Sequence, residues 1–264
     1  MPETVAVVGS GAIACGLASV AAAKLGEAVL VARSDASAER ARSQTAKAIG
    51  RMEGDPDSLA ITTDHAALAG RSYVIEAIVE ELGAKRDLLA RLHADADADA
   101  ILASTTSSLS VSQLAEASGR ADRFAGLHVF NPVPRMELIE LAYPNRATAD
   151  VRDRTKALCD ALGKTGVDVA DKPGFVVNRL LFPYLFDAVR VMEDQGLEPE
   201  AVDTCMKLGA GHPMGPLALL DFVGMDVSIA IGEQVGVDIP QAARDLLDAG
   251  HLGRKSGKGF YEYS

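Results

Sequence analysis

Thr4-Val5-Ala6-Val7-Val8-Gly9-Ser10-Gly11-Ala12-Ile13-Ala14 decides the fold. A run of small and β-branched apolar residues leads straight into a glycine turn. An Ala-rich helical stretch follows to about Leu25, then a second apolar strand from Ala28 to Val31. Strand, tight turn, helix and strand in this order open a dinucleotide-binding unit. Gly9 allows the turn, Gly11 lets the backbone approach a pyrophosphate, and Ala14 is small enough for the helix to pack on the strand. The N–H groups of the first helical turn, around Ser10, Ala12 and Ile13, face the phosphates with the positive end of the helix dipole. The plain alternative is a βα turn that binds nothing.

The second strand ends Val31-Ala32-Arg33-Ser34. An acid at this place holds the ribose 2′-OH of NAD; here Ala32 leaves room, and Arg33 and Ser34 can hold a 2′-phosphate. The expectation is therefore NADP in preference to NAD. Asp35 lies close enough to stand in for the missing acid, and Arg33 is otherwise a solvated loop charge.

Farther along, the pattern alternates. Strands are expected at 4–8, 28–32, 59–62, 73–76, 100–103, 125–129, 136–141 and 166–169, with helices at 12–25, 36–50, 81–93, 111–116 and 149–162. Such alternation predicts a mostly parallel sheet covered by helices on both faces. After Asp171-Lys172-Pro173-Gly174 only helical periodicity remains, at about 175–195, 199–208, 215–231 and 238–248. The fold class is α/β: a Rossmann-type doubly wound sheet over residues 1–171, then an all-helical domain over 172–264. Four helices bury little on their own, so the helical domain is expected to pair in a homodimer.

A formal charge of −11 argues against nucleic acid as partner. No apolar run is long enough to span a bilayer and no charged-then-apolar leader opens the chain, so a cytoplasmic protein is expected. Cys15, Cys159 and Cys205 are widely spaced and odd in number; reduced thiols and no metal site are expected.

His128-Val129-Phe130-Asn131-Pro132-Val133-Pro134-Arg135-Met136-Glu137-Leu138-Ile139-Glu140 places one histidine and one glutamate on two apolar segments joined by a Pro-x-Pro turn. A histidine accepts and returns protons near neutral pH. A buried carboxylate beside it holds one tautomer and stabilises the imidazolium. Together they suggest a base for oxidising an alcohol, although a lone histidine in an apolar run is more often core packing. Thr105-Thr106-Ser107-Ser108 follows a strand, where ligands bind in open α/β sheets; it reads equally as an N-cap cluster, a role Ser110 fills better. Glu76 and Glu80, with Lys85 on the next helix, read as site residues or as a surface charge pair. Asn178 is a poor helix-interior residue, so its amide is aimed at a partner, structural or functional. The Lys207–Pro216 turn reads as structural with His212 exposed, and the basic tail Gly253–Tyr263 meets a phosphate or a partner subunit, or is a solvated turn.

In joint order these segments resemble the short-chain L-3-hydroxyacyl-CoA dehydrogenase family, including bacterial 3-hydroxybutyryl-CoA dehydrogenases, over nearly the whole chain. The segments are Gly9-Ser10-Gly11, Glu76–Glu80, Ser104–Leu109, His128–Glu140, Pro173–Leu181, Met206–Pro216 and Gly257–Tyr261. The resemblance implies a His128–Glu140 catalytic dyad, Ser107 and Asn178 near the substrate oxygens, and a cofactor site lined by Glu80, Lys85, Ser107 and Asn131. It implies reversible hydride exchange between C3 of a 3-hydroxyacyl thioester and C4 of a nicotinamide. Two departures stand out. Ala32-Arg33-Ser34 replaces the usual strand-end Asp, and Ala36–Asp57 is short for the helical excursion that helps bind CoA. Lys47 and Arg51 remain to meet a CoA phosphate, and an acyl-carrier-protein thioester or a small hydroxy acid is the alternative substrate. A non-catalytic dinucleotide-binding protein is the third reading, which the intact dyad, Ser107 and Asn178 oppose.

Overall fold

The computed structural model describes residues 3–263 of the chain. The chain folds as two compact units, Met1–Lys172 and Pro173–Ser264.

The first unit holds one eight-stranded sheet in the order β3-β2-β1-β4-β5-β6-β7-β8. The strands are β1 (Val5–Val8), β2 (Ala28–Val31), β3 (Leu59–Thr62), β4 (Tyr73–Glu76), β5 (Ile101–Ser104), β6 (Phe124–Val129), β7 (Leu138–Ala142) and β8 (Thr165–Asp168). All neighbours run parallel except β6 and β7. Strands β1, β2, β4, β5 and β6 are buried end to end, as expected where both faces of a sheet are covered. The edge strands β3 and β8 are partly exposed. From β1 the chain fills one side through β2 and β3, then crosses back to β4 on the other, which makes the carboxyl ends of β1 and β4 the topological switch point.

Side chains alternate between the two faces of a strand. Val5, Val7, Leu30, Tyr73, Ile75, Ile101, Ala103, Ala125, Leu127, Ile139 and Leu141 share one core with residues of α1 (Ala12–Leu25), α2 (Asp35–Arg51) and α5 (Ala149–Ala161). The residues between them point to the opposite face, among them Glu76, Ser104, Gly126, His128 and Glu140. On that face Val111, the first residue of α4 (Val111–Ala117), would meet a methyl placed on Gly126 at 2.5 Å. Helix α3 (Leu82–Asp95) follows β4. Glu76, Ser104, His128 and Glu140 therefore share the second face of the sheet, near the carboxyl ends of β4, β5 and β6.

Strand β7 begins at Leu138, two residues later than periodicity suggests. The buried Lys164 explains the delay: its Nζ donates to the carbonyls of Val133 and Met136 at 2.7 and 2.8 Å, which commits residues up to Met136 to the turn.

The second unit is helical: α6 (Val177–Gln195), α7 (Pro199–Gly209), α8 (Pro216–Val223), α9 (Met225–Gln234) and α10 (Gln241–Asp248). Phe182, Leu185, Phe186 and Val189 of α6 pack on Leu217, Leu220, Met225 and Ile229. The single helix expected over 215–231 is two helices, because Gly224 at φ 101° breaks the chain between them. The tail is not a solvated turn. Asp221, almost fully buried, accepts the Phe260 and Tyr261 N–H groups and the Tyr263 hydroxyl at 2.9–3.0 Å. A methyl on Gly259 would lie 2.0 Å from the same carboxylate, so only glycine fits there. Asp203 likewise caps α8 through Leu217 N–H and Ala218 N–H and accepts the Tyr261 hydroxyl. His212, expected exposed, is half-buried and bonded to the Tyr184 hydroxyl at 3.1 Å through Nδ1. Among the described residues no helix is long and apolar enough to cross a membrane, and no group of three or more His, Cys, Asp or Glu side chains gathers as a metal site. All three cysteines are free, Cys15 and Cys159 buried and Cys205 exposed; burial pushes the Cys159 thiol up to about 12.

Candidate active site

Register brings His128 and Glu140 together. The two are direct partners across the antiparallel β6–β7 ladder, on the same face of the sheet. His128 Nδ1 lies 2.7 Å from Glu140 Oε2, with the residues only 5% and 2% exposed. An ionised carboxylate can only accept, so the bond fixes the tautomer that carries its proton on Nδ1. The basic lone pair then sits on Nε2. The ring of Phe130 flanks the imidazole at 4.4 Å between centroids.

A second polar cluster sits at the carboxyl ends of β4 and β5. Glu76 and Ser104 are register partners in the parallel ladder, and both are fully buried. Ser104 Oγ donates to Glu76 Oε2 at 2.5 Å. Lys85 Nζ, on α3, donates to Glu76 Oε1 at 2.7 Å and lies 3.4 Å from Glu80 Oε2. The surface charge pair is therefore ruled out: Lys85 is 0% exposed and enclosed between two carboxylates. Glu80 Oε1 in turn accepts the Thr106 hydroxyl, the Ser107 N–H, the Ser107 hydroxyl and both the N–H and hydroxyl of Ser108, at 2.7–3.2 Å. Burial works to raise the Glu80 carboxyl, but the Lys85 charge and the hydrogen bonds from Thr106, Ser107 and Ser108 outweigh it and hold the group below its ordinary value. This carboxylate shapes the turn that carries Ser107, while Ser110 and Asp171 serve the N-terminus of α4.

The glycine turn follows β1. Gly9 adopts φ 141°, and a methyl there would lie 2.2 Å from the carbonyl oxygen of Ala77. Only glycine lets the turn pass this close to the end of β4. Gly11 precedes α1 without a side-chain cap, and a methyl on it would meet nothing within 4 Å. An open space over uncapped helical N–H groups fits the pyrophosphate of a dinucleotide. Ser10, Ala12 and Ile13 complete this turn. Beyond β2, Ala32 is buried and Arg33 exposed. Ser34 caps α2, its hydroxyl accepting the Ser37 N–H in a capping box, so the hydroxyl is already engaged.

The chain matches two family models end to end. The 3-hydroxyacyl-CoA dehydrogenase NAD binding domain covers residues 4–172, and the C-terminal domain of the same family covers 174–263. The chain belongs to the 3-hydroxyacyl-CoA dehydrogenase family. It is 38% identical to the rat mitochondrial hydroxyacyl-coenzyme A dehydrogenase over 98% of this chain and 90% of that protein. It is 38% identical to a probable 3-hydroxybutyryl-CoA dehydrogenase of Deinococcus radiodurans, over 97% of this chain and 99% of the other. The solved structure of (S)-3-hydroxybutyryl-CoA dehydrogenase from Ralstonia eutropha superposes with a TM-score of 0.93 at 35% identity, covering all of both chains. Like other 3-hydroxyacyl-CoA dehydrogenases, the chain is an oxidoreductase that works with a nicotinamide dinucleotide.

The remaining residues singled out in the sequence fall in different places. Asn131 is exposed in the turn directly after β6. Asn178 belongs to the helical unit, buried in the first turn of α6. Glu76, which the sequence left open between a site residue and a surface charge, is fully buried. The signal was present: a carboxylate closing the apolar run Tyr73-Val74-Ile75 cannot be buried without a partner.

Proposed function

We propose that the chain oxidises the 3-hydroxyl of an L-3-hydroxyacyl thioester of the 3-hydroxybutyryl-CoA kind, and reduces the matching ketone, with His128 moving the proton. The buried His128–Glu140 pair carries this reading. In oxidation Nε2 takes the hydroxyl proton, and the Glu140 carboxylate stabilises the imidazolium that forms. In reduction the same nitrogen returns it. A bound nicotinamide supplies the hydride acceptor or donor. Ser107, set in place by Glu80, and Asn178 hold the substrate oxygens; Gly9 through Ile13, Glu80, Ser107 and Asn131 line the cofactor site, with Lys85 behind Glu80.

NADP(H) is the preferred cofactor in this reading. The support is a strand end without an acid and with an exposed Arg33, which makes no ion pair among the described residues. With the Ser34 hydroxyl engaged, Arg33 is the side chain that meets a 2′-phosphate. Reduction of acetoacetyl-CoA, followed by nicotinamide absorbance with each cofactor, tests both points. Turnover with neither cofactor removes the activity, and a much higher kcat/KM with NADH removes the NADP preference.

A carrier-bound substrate is the second reading. The segment after β2 holds one α-helix, α2, of 17 residues before the chain reaches β3. A shortened CoA-binding segment predicts activity with acyl-carrier-protein thioesters that exceeds activity with CoA esters. The assembly we propose is a homodimer through the helical unit, which leaves Leu180, Leu208, Phe222 and Val227 between 43% and 82% exposed.

A further inference from the structure

Glu76 is a buried acid for which proton transfer has no use. Its Oε1 accepts the Ile78 N–H and Lys85 Nζ, each at 2.7 Å, and its Oε2 accepts the Ser104 hydroxyl. A group that receives every bond is a carboxylate. Two carboxylates, Glu76 and Glu80, thus share one ammonium, and one negative charge is left over. The short contact goes to Glu76 at 2.7 Å and the long one to Glu80 at 3.4 Å, so the surplus resides on Glu80. Glu80 is also the member that reaches the surface, its side chain 29% exposed. Its other partners are the neutral donors of Thr106, Ser107 and Ser108, and among the described residues no second cation pairs with it. Neighbouring Glu81 is spent elsewhere, accepting the Gly83 and Ala84 N–H groups at the start of α3. A second buried acid beside an already paired lysine carries a desolvation cost that stability alone does not explain.

We propose that Glu76 is a positioning residue that draws the Lys85 ammonium closer to itself than to Glu80, and so leaves Glu80 with a negative charge only partly offset, which favours the oxidised nicotinamide over the reduced one. The oxidised ring is a cation and the reduced ring is neutral, so a fixed charge beside the site discriminates between them and a loss of packing does not. The inference rests on the reading of Glu80 as a wall of the nicotinamide site.

The test compares dissociation constants of oxidised and reduced cofactor, by calorimetry on the full-length protein. Glu76→Gln keeps the shape, removes the charge and frees Lys85 to neutralise Glu80. The ratio Kd(oxidised)/Kd(reduced) is expected to rise roughly five-fold over the unaltered protein, equal to about 1 kcal/mol. Glu80→Gln, at a partly exposed position, moves the ratio the same way and decides the matter if Glu76→Gln does not fold. A ratio that stays constant in a folded variant binding both forms overturns the proposal and leaves the dehydrogenase reading intact. An unaltered protein that binds neither form overturns the reading of the site, and the proposal with it.

Discussion

Glu140→Gln is the most direct probe of the dyad. The substitution preserves size at a position 2% exposed, in contact with a histidine 5% exposed, so water does not replace the lost charge. A hydrogen bond to a charged group contributes about 1.5–3 kcal/mol. At one decade per 1.36 kcal/mol, losing it from the imidazolium slows proton transfer roughly 10- to 150-fold. A further loss comes from the tautomer. The new amide can turn its NH2 toward Nδ1, 2.7 Å away, which moves the ring proton to Nε2 and blocks the basic nitrogen. The same error in a serine-protease triad costs about 10⁴, so the expected fall in kcat lies between about 10² and 10⁴. KM for the thioester is expected to move less than roughly three-fold, because the ground state gains nothing from the imidazolium. Steady-state turnover, alongside a thermal melt that shows a folded variant, reads both quantities. Paired with His128→Ala, the double variant is expected to lose no more than His128→Ala alone, since the two residues act as one unit. A folded Glu140→Gln enzyme with kcat within about three-fold of the unaltered protein refutes the dyad.

Other perturbations reach other parts of the molecule. Gly9→Ala places a methyl 2.2 Å from the Ala77 carbonyl at a φ of 141°; cofactor affinity, measured by titration, is expected to be lost along with stability. Arg33→Ala is expected to raise KM for NADPH far more than for NADH, and equal effects would exclude a 2′-phosphate contact. At Glu3, burial acts to raise the carboxyl, but hydrogen bonds from Arg154 and Ser72 and the Arg154 charge pull it below its ordinary value. A depressed carboxyl stabilises the fold above its unfolded value and loses that contribution as pH falls through the folded one. The melting-temperature gap between the unaltered protein and Glu3→Gln is therefore expected at neutral pH and should close in acid; a gap independent of pH counts against it. Asp221→Ala strands the Phe260 and Tyr261 N–H groups and the Tyr263 hydroxyl, and is expected to destabilise the helical unit by at least about 2 kcal/mol in a denaturant titration.

Much of the sheet could be read from the chain, because strands buried on both faces are continuous apolar runs such as Val5–Val8 and Ile101–Ser104. The contact between His128 and Glu140 was legible for a different reason: a Pro-x-Pro turn between two apolar segments makes a hairpin, and a hairpin sets residues face to face. The burial of Lys85 was not legible. A glutamate five positions before a lysine has the same spacing on a surface helix as in a buried cluster, and only the folded chain sets Glu76, at the end of β4, against the Lys85 ammonium. The carboxylate caps hid behind distance. Asp171 serves amides 59 and 60 residues away, and Asp221 serves the tail 39 to 42 residues on. Their donors are backbone groups, which leave no mark on composition. Arg33 shows the reverse case: the missing acid at the end of β2 is plain in the sequence, while the capping duty of Ser34 appears only once α2 is built.

The single antiparallel step between β6 and β7 has a consequence for how this chemistry can be moved or lost. The His128–Glu140 contact depends on parity: each residue added to or removed from the turn slides one strand past the other and swaps which side chains share a face. A one-residue insertion between Val129 and Leu138 that shifts the ladder would leave both partners in the chain yet turn one of them into the hydrocarbon side. Lys164 clamps the turn at two carbonyls and so guards against such slippage from outside the pair. Transplanting the pair to another sheet would accordingly mean carrying three parts together: the two strands, the turn at its native length, and the ammonium that holds it.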